Sequence, residues 1–161
     1  MHRWRCIMKL HTIVACLFVV AVTSTTAAAA PGGGTGAIAR AVGNCGNPCT
    51  IYRNAGGRII DFEDAGDAIR SGKQRLVIDG YCASACMVMA DRARPRTCIT
   101  SRAVFGYHKT NFGRPIPLRG DLHGWIMRHG GYPRFGARPG TMPNSVARQF
   151  FPACKDSVAS L

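Results

Sequence analysis

The stretch Arg75-Leu76-Val77-Ile78-Asp79-Gly80-Tyr81-Cys82-Ala83-Ser84-Ala85-Cys86-Met87-Val88-Met89-Ala90 decides the reading of this chain. Arg75–Asp79 is short, branched and apolar, which predicts a buried strand that stops at Gly80. Gly80–Ala83 is tight and small, and Ser84–Ala90 is apolar on every face, the pattern of a buried helix with Ser84 as its first residue. Upstream, Thr50–Tyr52 reads as another strand, closed by the turn signal Asn54-Ala55-Gly56-Gly57. Between them, Ile60, Phe62, Ala65, Ala68 and Ile69 predict an amphipathic helix over 59–71, with Asp61, Glu63 and Asp64 near its positive end and Gly72 just past its last turn. Strand, helix, strand in that order predicts a right-handed crossover and a parallel sheet. Downstream, a charged turn (Asp91–Arg96) leads to strands over 97–100 and 103–107, the second of which delivers His108.

The flanks read differently. Met1–His11 carries Arg3, Arg5 and Lys9, Ile13–Val22 is an unbroken apolar run, and Ala27–Ala30 supplies an A-x-A cleavage pattern, so residues 1–30 are expected to be a secretory signal peptide. The apolar run is too short to span a bilayer. Ile13-Val14-Ala15-Cys16 resembles a lipobox, a weaker alternative because Lys9 and His11 interrupt the run that should precede it. Residues 31–46 (PGGGTGAIARAVGNCG) are Gly- and Ala-rich with only Ile38 and Val42 as apolar anchors, and are expected to be a flexible lead-in. Beyond Asn111 glycine and proline are frequent and periodicity fades, so 112–161 is expected to be an irregular extension in which only 122–128 and 146–151 look helical.

The full chain has 161 residues, 21 basic and 8 acidic groups and eight cysteines, a formal net charge of +13. Removing residues 1–30 leaves 131 residues with 18 basic and 8 acidic groups, a net +10, and six cysteines. That length supports one hydrophobic core, excluding a repeat array and a disordered tail. Six cysteines in an exported chain point to disulfides in an oxidising compartment, periplasmic or secreted.

Gly56-Gly57, Ser84 and His108 are the residues that could carry chemistry. A Gly-Gly pair after a strand lets backbone approach a ligand and present a free N–H. A serine opening a helix lies beside unpaired first-turn N–H groups, and a histidine ending a neighbouring strand is the usual general base. Acyl transfer needs these parts: a hydroxyl nucleophile, a base and two oxyanion donors. Each also has a plainer reading, as a helix cap, a turn and a structural histidine.

The segments together resemble the proteolytic subunit of Clp proteases. Ile51-Tyr52-Arg53-Asn54-Ala55-Gly56-Gly57 is similar to that family's strand and Gly-Gly segment, Gly80–Cys86 to its nucleophile segment, and Ala103-Val104-Phe105-Gly106-Tyr107-His108 to its strand leading to the catalytic histidine. Residues 78–108 also resemble small exported bacterial members of the Clp/crotonase superfamily with an I-D-G-x-C-x-S-A-C segment. The resemblance covers about 51–111 and implies a Clp/crotonase-like core over 47–111, an α/β spiral of βαβ units with a short parallel sheet. It implies Ser84 as nucleophile, His108 as base and the N–H groups of Gly57 and Ala85 as the oxyanion hole. The family's third member is an aspartate well beyond the histidine; Asp156, 48 residues past His108, falls near that separation, and Asp121 is the other downstream candidate. Lys109 offers a different base, but adjacent strand residues face opposite ways, which favours His108.

The cysteines leave alternatives open. Cys82 and Cys86 would meet on neighbouring turns only if both were helical, and Cys82 precedes the expected helix, so either can instead bond Cys98; Cys45 and Cys49 can close locally, or one of them can reach Cys154. C-x₃-C spacing with scattered histidines does not favour zinc, and no cofactor or metal is expected. The basic residues are not interleaved with aromatics as in a nucleic-acid binder, so no nucleic acid is expected; weak attraction to an anionic membrane surface is a more natural consequence, and a solvated basic face a more natural one still. The expectation is therefore an exported, peptidase-like serine hydrolase acting on a peptide or acyl substrate, with oligomerisation open. The alternatives are a non-catalytic exported binding domain on the same fold and a cationic envelope-associated protein.

Overall fold

A computed structural model describes residues 33–155; the expected signal peptide, Cys16 and Asp156 lie outside the described residues. The order of elements is α1 (Gly33–Val42), β1 (Cys49–Asn54), α2 (Ile59–Ser71), β2 (Leu76–Ala83), α3 (Ala85–Arg92), β3 (Thr97–Ile99), β4 (Val104–Tyr107), α4 (Gly120–Arg128), β5 (Gly140–Met142) and α5 (Asn144–Ala147). The fold is mixed α/β with a small, mostly parallel sheet.

β2 is the central strand. It pairs in parallel with β1 on one side; on the other, its first half pairs with β3 (Leu76–Ile78 against Thr97–Ile99) and its second half with β4 (Tyr81–Ala83 against Val104–Gly106). β3 and β4 thus share one edge of β2, separated by the turn at 100–103. Asp79 fills that gap, accepting from the Thr100 hydroxyl at 2.5 Å and from the Arg102 guanidinium.

Gly80 does not end the strand as its sequence suggests. The register steps from Ile51↔Ile78 to Arg53↔Tyr81, so β2 carries one extra residue there. A Cβ on Gly80 would lie 2.0 Å from the Tyr52 carbonyl oxygen, so glycine is what lets β1 close over this bulge. The strand then runs on to Ala83 and delivers Ser84.

α3 is buried along its length from Ala85 to Asp91. α2 crosses it at Gly66, where a Cβ would meet the Met89 carbonyl at 2.8 Å, so the two backbones nearly touch. The expectation of a helix over 59–71 matches α2 residue for residue, with the Gly72 N–H donating to the Ala68 carbonyl at its end.

Two flanking expectations need correction. Most of the segment read as a flexible lead-in, 31–46, is α1: Ala37 and Ile38 are buried, and Arg40 reaches Asp64 at 3.4 Å on α2. Its alanines favour helix strongly enough to carry the glycines once one face is covered. The segment read as an irregular extension, 112–161, contributes to the core. β5 pairs antiparallel with β4, Leu122, Ile126 and Met142 are fully buried, and Phe151 stacks on Phe105 with centroids 4.9 Å apart. The helix expected over 122–128 is α4, with Leu122 and Ile126 on its buried face, while β5 and α5 are too short, among Gly and Pro, to show a period. An ion cluster ties this segment to α3: Arg94 bonds buried Asp91 and reaches Asp121 at 2.5 Å, while the Arg119 N–H donates to Asp91 at 2.7 Å.

All six cysteines of the described residues are paired, Cys45–Cys49, Cys82–Cys86 and Cys98–Cys154. Cys98 therefore bonds Cys154 in the C-terminal segment rather than either cysteine beside Ser84. Among the described residues no helix is long and apolar enough to cross a membrane.

Candidate active site

The site forms where β1, β2 and β4 end at the same edge of the sheet. β1 stops at Asn54, whose side-chain oxygen accepts the Gly56 N–H at 2.8 Å and folds the chain back on itself. Gly56 has φ +89°, and a Cβ there would lie 2.7 Å from the Ala85 nitrogen, 2.8 Å from the Ala83 carbonyl and 2.9 Å from the Ser84 Cβ. The glycine backbone thus lies directly against the serine turn, and no other residue type fits.

Ser84 has φ 56° and ψ −123°, and it is the one non-glycine residue at positive φ among the described residues. Such a backbone costs about 1–3 kcal/mol and persists only where its surroundings over-determine it. Here they do. The Ser84 N–H donates to the Gly106 carbonyl on β4 at 2.8 Å, and its carbonyl accepts from the Met87 and Val88 N–H groups at 3.0 and 3.3 Å. The Cys82–Cys86 bond closes the same turn covalently, from the end of β2 to the start of α3. A sharp strand-to-helix turn of this kind is one way that hydrolases expose a nucleophilic hydroxyl. Ser84 is α3's N-cap, with no side-chain cap bond, so its hydroxyl is not spent on the helix.

Two backbone donors remain open beside it. Ala85 opens α3, where first-turn N–H groups have no intrahelical acceptor, and Gly57 follows the glycine whose N–H Asn54 has taken. Neither N–H makes a hydrogen bond within the described residues.

His108 follows β4 and is half-buried. Its Nδ1 lies 2.6 Å from the Lys109 carbonyl oxygen, and its ring packs edge-on against Phe135 with centroids 5.5 Å apart. A carbonyl only accepts, so Nδ1 carries the proton, and in the neutral ring Nε2 is left as the acceptor. That is the tautomer a general base needs.

Ser84, His108, Gly56 and Gly57 line one pocket of about 560 Å³, completed by Ile59, Phe112 and Phe135. Arg58 stands at its rim, paired with Asp61 at 3.3 Å. Lys109 lines a neighbouring recess instead, in keeping with the opposite facing of adjacent residues. Asp121 is committed to Arg94.

Sequence reasoning missed Asn54 as the residue that shapes the Gly-Gly turn, the Lys109 carbonyl as the partner of His108, and Phe112 and Phe135 as pocket walls. For the aromatics a faint signal existed: large apolar side chains among Gly, Arg and Pro have no periodic face to join. Phe112 is 83% and Phe135 61% exposed. Compared with family models, curated proteins and solved structures, the chain has no match.

Proposed function

We propose that the protein is an exported serine hydrolase of peptidase type, built on a Clp/crotonase-like arrangement of βαβ units. The observation that carries this reading is Ser84 held at positive φ on a strand-to-helix turn, facing the pocket that His108 also lines. Export is supported by three disulfides and by the basic, then apolar, then small-residue pattern at the N-terminus.

In this mechanism His108 Nε2 takes the Ser84 proton as the hydroxyl oxygen attacks an acyl carbonyl. Negative charge collects on the carbonyl oxygen and is met by the Gly57 and Ala85 N–H groups. The imidazolium returns the proton to the leaving amine or alcohol, and the bond to it breaks. Water, activated by the same ring, then hydrolyses the acyl-enzyme. The Lys109 carbonyl sets the tautomer of His108, and Asp156 is the carboxylate assigned to the third position by the resemblance.

The reading is tested with p-nitrophenyl octanoate and the oxidised protein. Wild type turns over the ester, and Ser84→Ala and His108→Ala each lower kcat/KM by roughly 10³–10⁴-fold. Turnover that survives both substitutions, or none by wild type, overturns it.

A further inference from the structure

Beside the pocket is a second recess of about 290 Å³ lined by Lys109, Thr110, Asn111, Gly113, Arg134 and Phe135. It shares Thr110, Asn111 and Phe135 with the larger pocket, so a chain lying across Phe135 passes from one into the other. The recess is built by hydrogen bonds. The Lys109 N–H donates to the Pro133 carbonyl at 2.7 Å, which brings the segment bearing Arg134 alongside. The Thr110 N–H donates to the Arg114 carbonyl at 2.6 Å, and Gly113, at φ +76°, closes the turn.

Its charge is unbalanced. The seven acids of the described residues all pair with arginines elsewhere: Asp61 and Asp64 with Arg40, Glu63 and Asp67 with Arg92, Asp79 with Arg102, and Asp91 and Asp121 with Arg94. Among the described residues no carboxylate lies within 4.0 Å of Lys109 or Arg134. At the larger pocket, by contrast, Arg58 is offset by Asp61.

Two cations, a threonine and an asparagine around one recess suit an anion small enough to accept several hydrogen bonds at once. We propose that this recess is a carboxylate subsite, so that the preferred acyl substrate carries an anionic group beyond the apolar stretch that crosses Phe135. The inference rests on the serine-hydrolase reading for the word acyl, while the subsite itself can be tested without turnover. The carboxylate could belong to an acidic residue of a peptide or to a dicarboxylic acyl chain.

The test measures binding of octanamide and 7-carbamoylheptanoate to the Ser84→Ala protein, two amides of one chain length differing by a terminal carboxylate. The carboxylate is expected to bind about tenfold tighter, with an advantage that shrinks as salt rises. Adding Lys109→Gln and Arg134→Gln collapses the ratio, whereas adding Arg148→Gln, which follows α5 and lines neither pocket, preserves it. Equal binding of the two amides, or a ratio that survives loss of both cations, overturns the subsite.

Turnover separates the two readings. Wild-type hydrolysis of p-nitrophenyl octanoate without any carboxylate preference sinks the subsite alone; a preference with no ester turnover sinks the hydrolase and leaves the subsite standing. An octapeptide pair differing by Glu and Gln assigns the carboxylate to a peptide side chain if it reproduces the ratio, and to a dicarboxylic acyl chain if it does not.

Discussion

The two walls of the pocket are made in different ways. One, Ala55 to Gly57 with Ser84, is backbone pinned by the Asn54 side-chain oxygen, a cross-strand hydrogen bond, a positive-φ serine and a disulfide. The other, from Thr110 to Phe112 with Phe135, is side chains standing out from turns. Backbone donors and a strained hydroxyl cannot be moved without cost, which is what chemistry requires. Side chains on turns can be exchanged freely, which suits recognition. Under the proposed function, reaction falls to the first wall and selection to the second.

The largest expected effect tests that division. Ser84→Ala lowers kcat while Phe135→Ala changes mainly KM, by a few-fold. If Phe135→Ala lowered kcat as far as Ser84→Ala, the division would fail.

Next are the disulfides. Cys98–Cys154 spans 56 residues of sequence and Cys82–Cys86 only four, so chain entropy assigns them about 4 and about 2 kcal/mol. Urea unfolding should show the larger loss for paired Ser substitutions at Cys98 and Cys154. Ester hydrolysis at a temperature where both variants stay folded should reverse the order, because Cys82–Cys86 braces the serine turn.

Gly56→Ala places a Cβ against the Ala85 nitrogen and the Ala83 carbonyl at φ +89°. About 1–3 kcal/mol of stability and most of the activity should be lost together. An active Gly56→Ala protein would show that the first wall is not close-fitted after all.

The smallest effect concerns acid. The Arg102 hydrogen bond holds the Asp79 carboxyl below its usual value, and the Arg94 hydrogen bond does the same for Asp121. A depressed folded value stabilises the protein at pH above the unfolded value near 3.8 and is lost as pH falls through the folded one. Stability followed by circular dichroism should therefore decline below about pH 4. Asp79→Asn should flatten part of that decline, and because Asp79 braces the framework outside the pocket, its activity per folded molecule should stay near that of wild type.

The same division explains what could be read from sequence. α2, the core of β2 and the strand before His108 are long enough, or apolar enough, for their periods to show. Ser84, His108 and Gly57 stood out because a serine before an apolar helix, a histidine after a strand and a Gly-Gly turn are local patterns. The bulge at Gly80 was not legible, because it depends on the Tyr52 carbonyl across the sheet. Nor was the pairing of Cys98 with Cys154, nor the hold of the Lys109 carbonyl on His108: one depends on distant chain, the other on a dihedral angle. In the C-terminal segment the helix over 122–128 was legible from its period, whereas Met142 and Phe151 are buried by tertiary contact and not by membership of a regular face.

The central claim is that Ser84 is a nucleophile activated by His108. Its most direct measurement is covalent labelling of the folded, oxidised protein by a fluorophosphonate probe, with the modified residue located by peptide mass spectrometry. One adduct is expected, on Ser84, absent from Ser84→Ala and strongly slowed in His108→Ala. An unlabelled wild-type protein, or an adduct on any other residue, would contradict it.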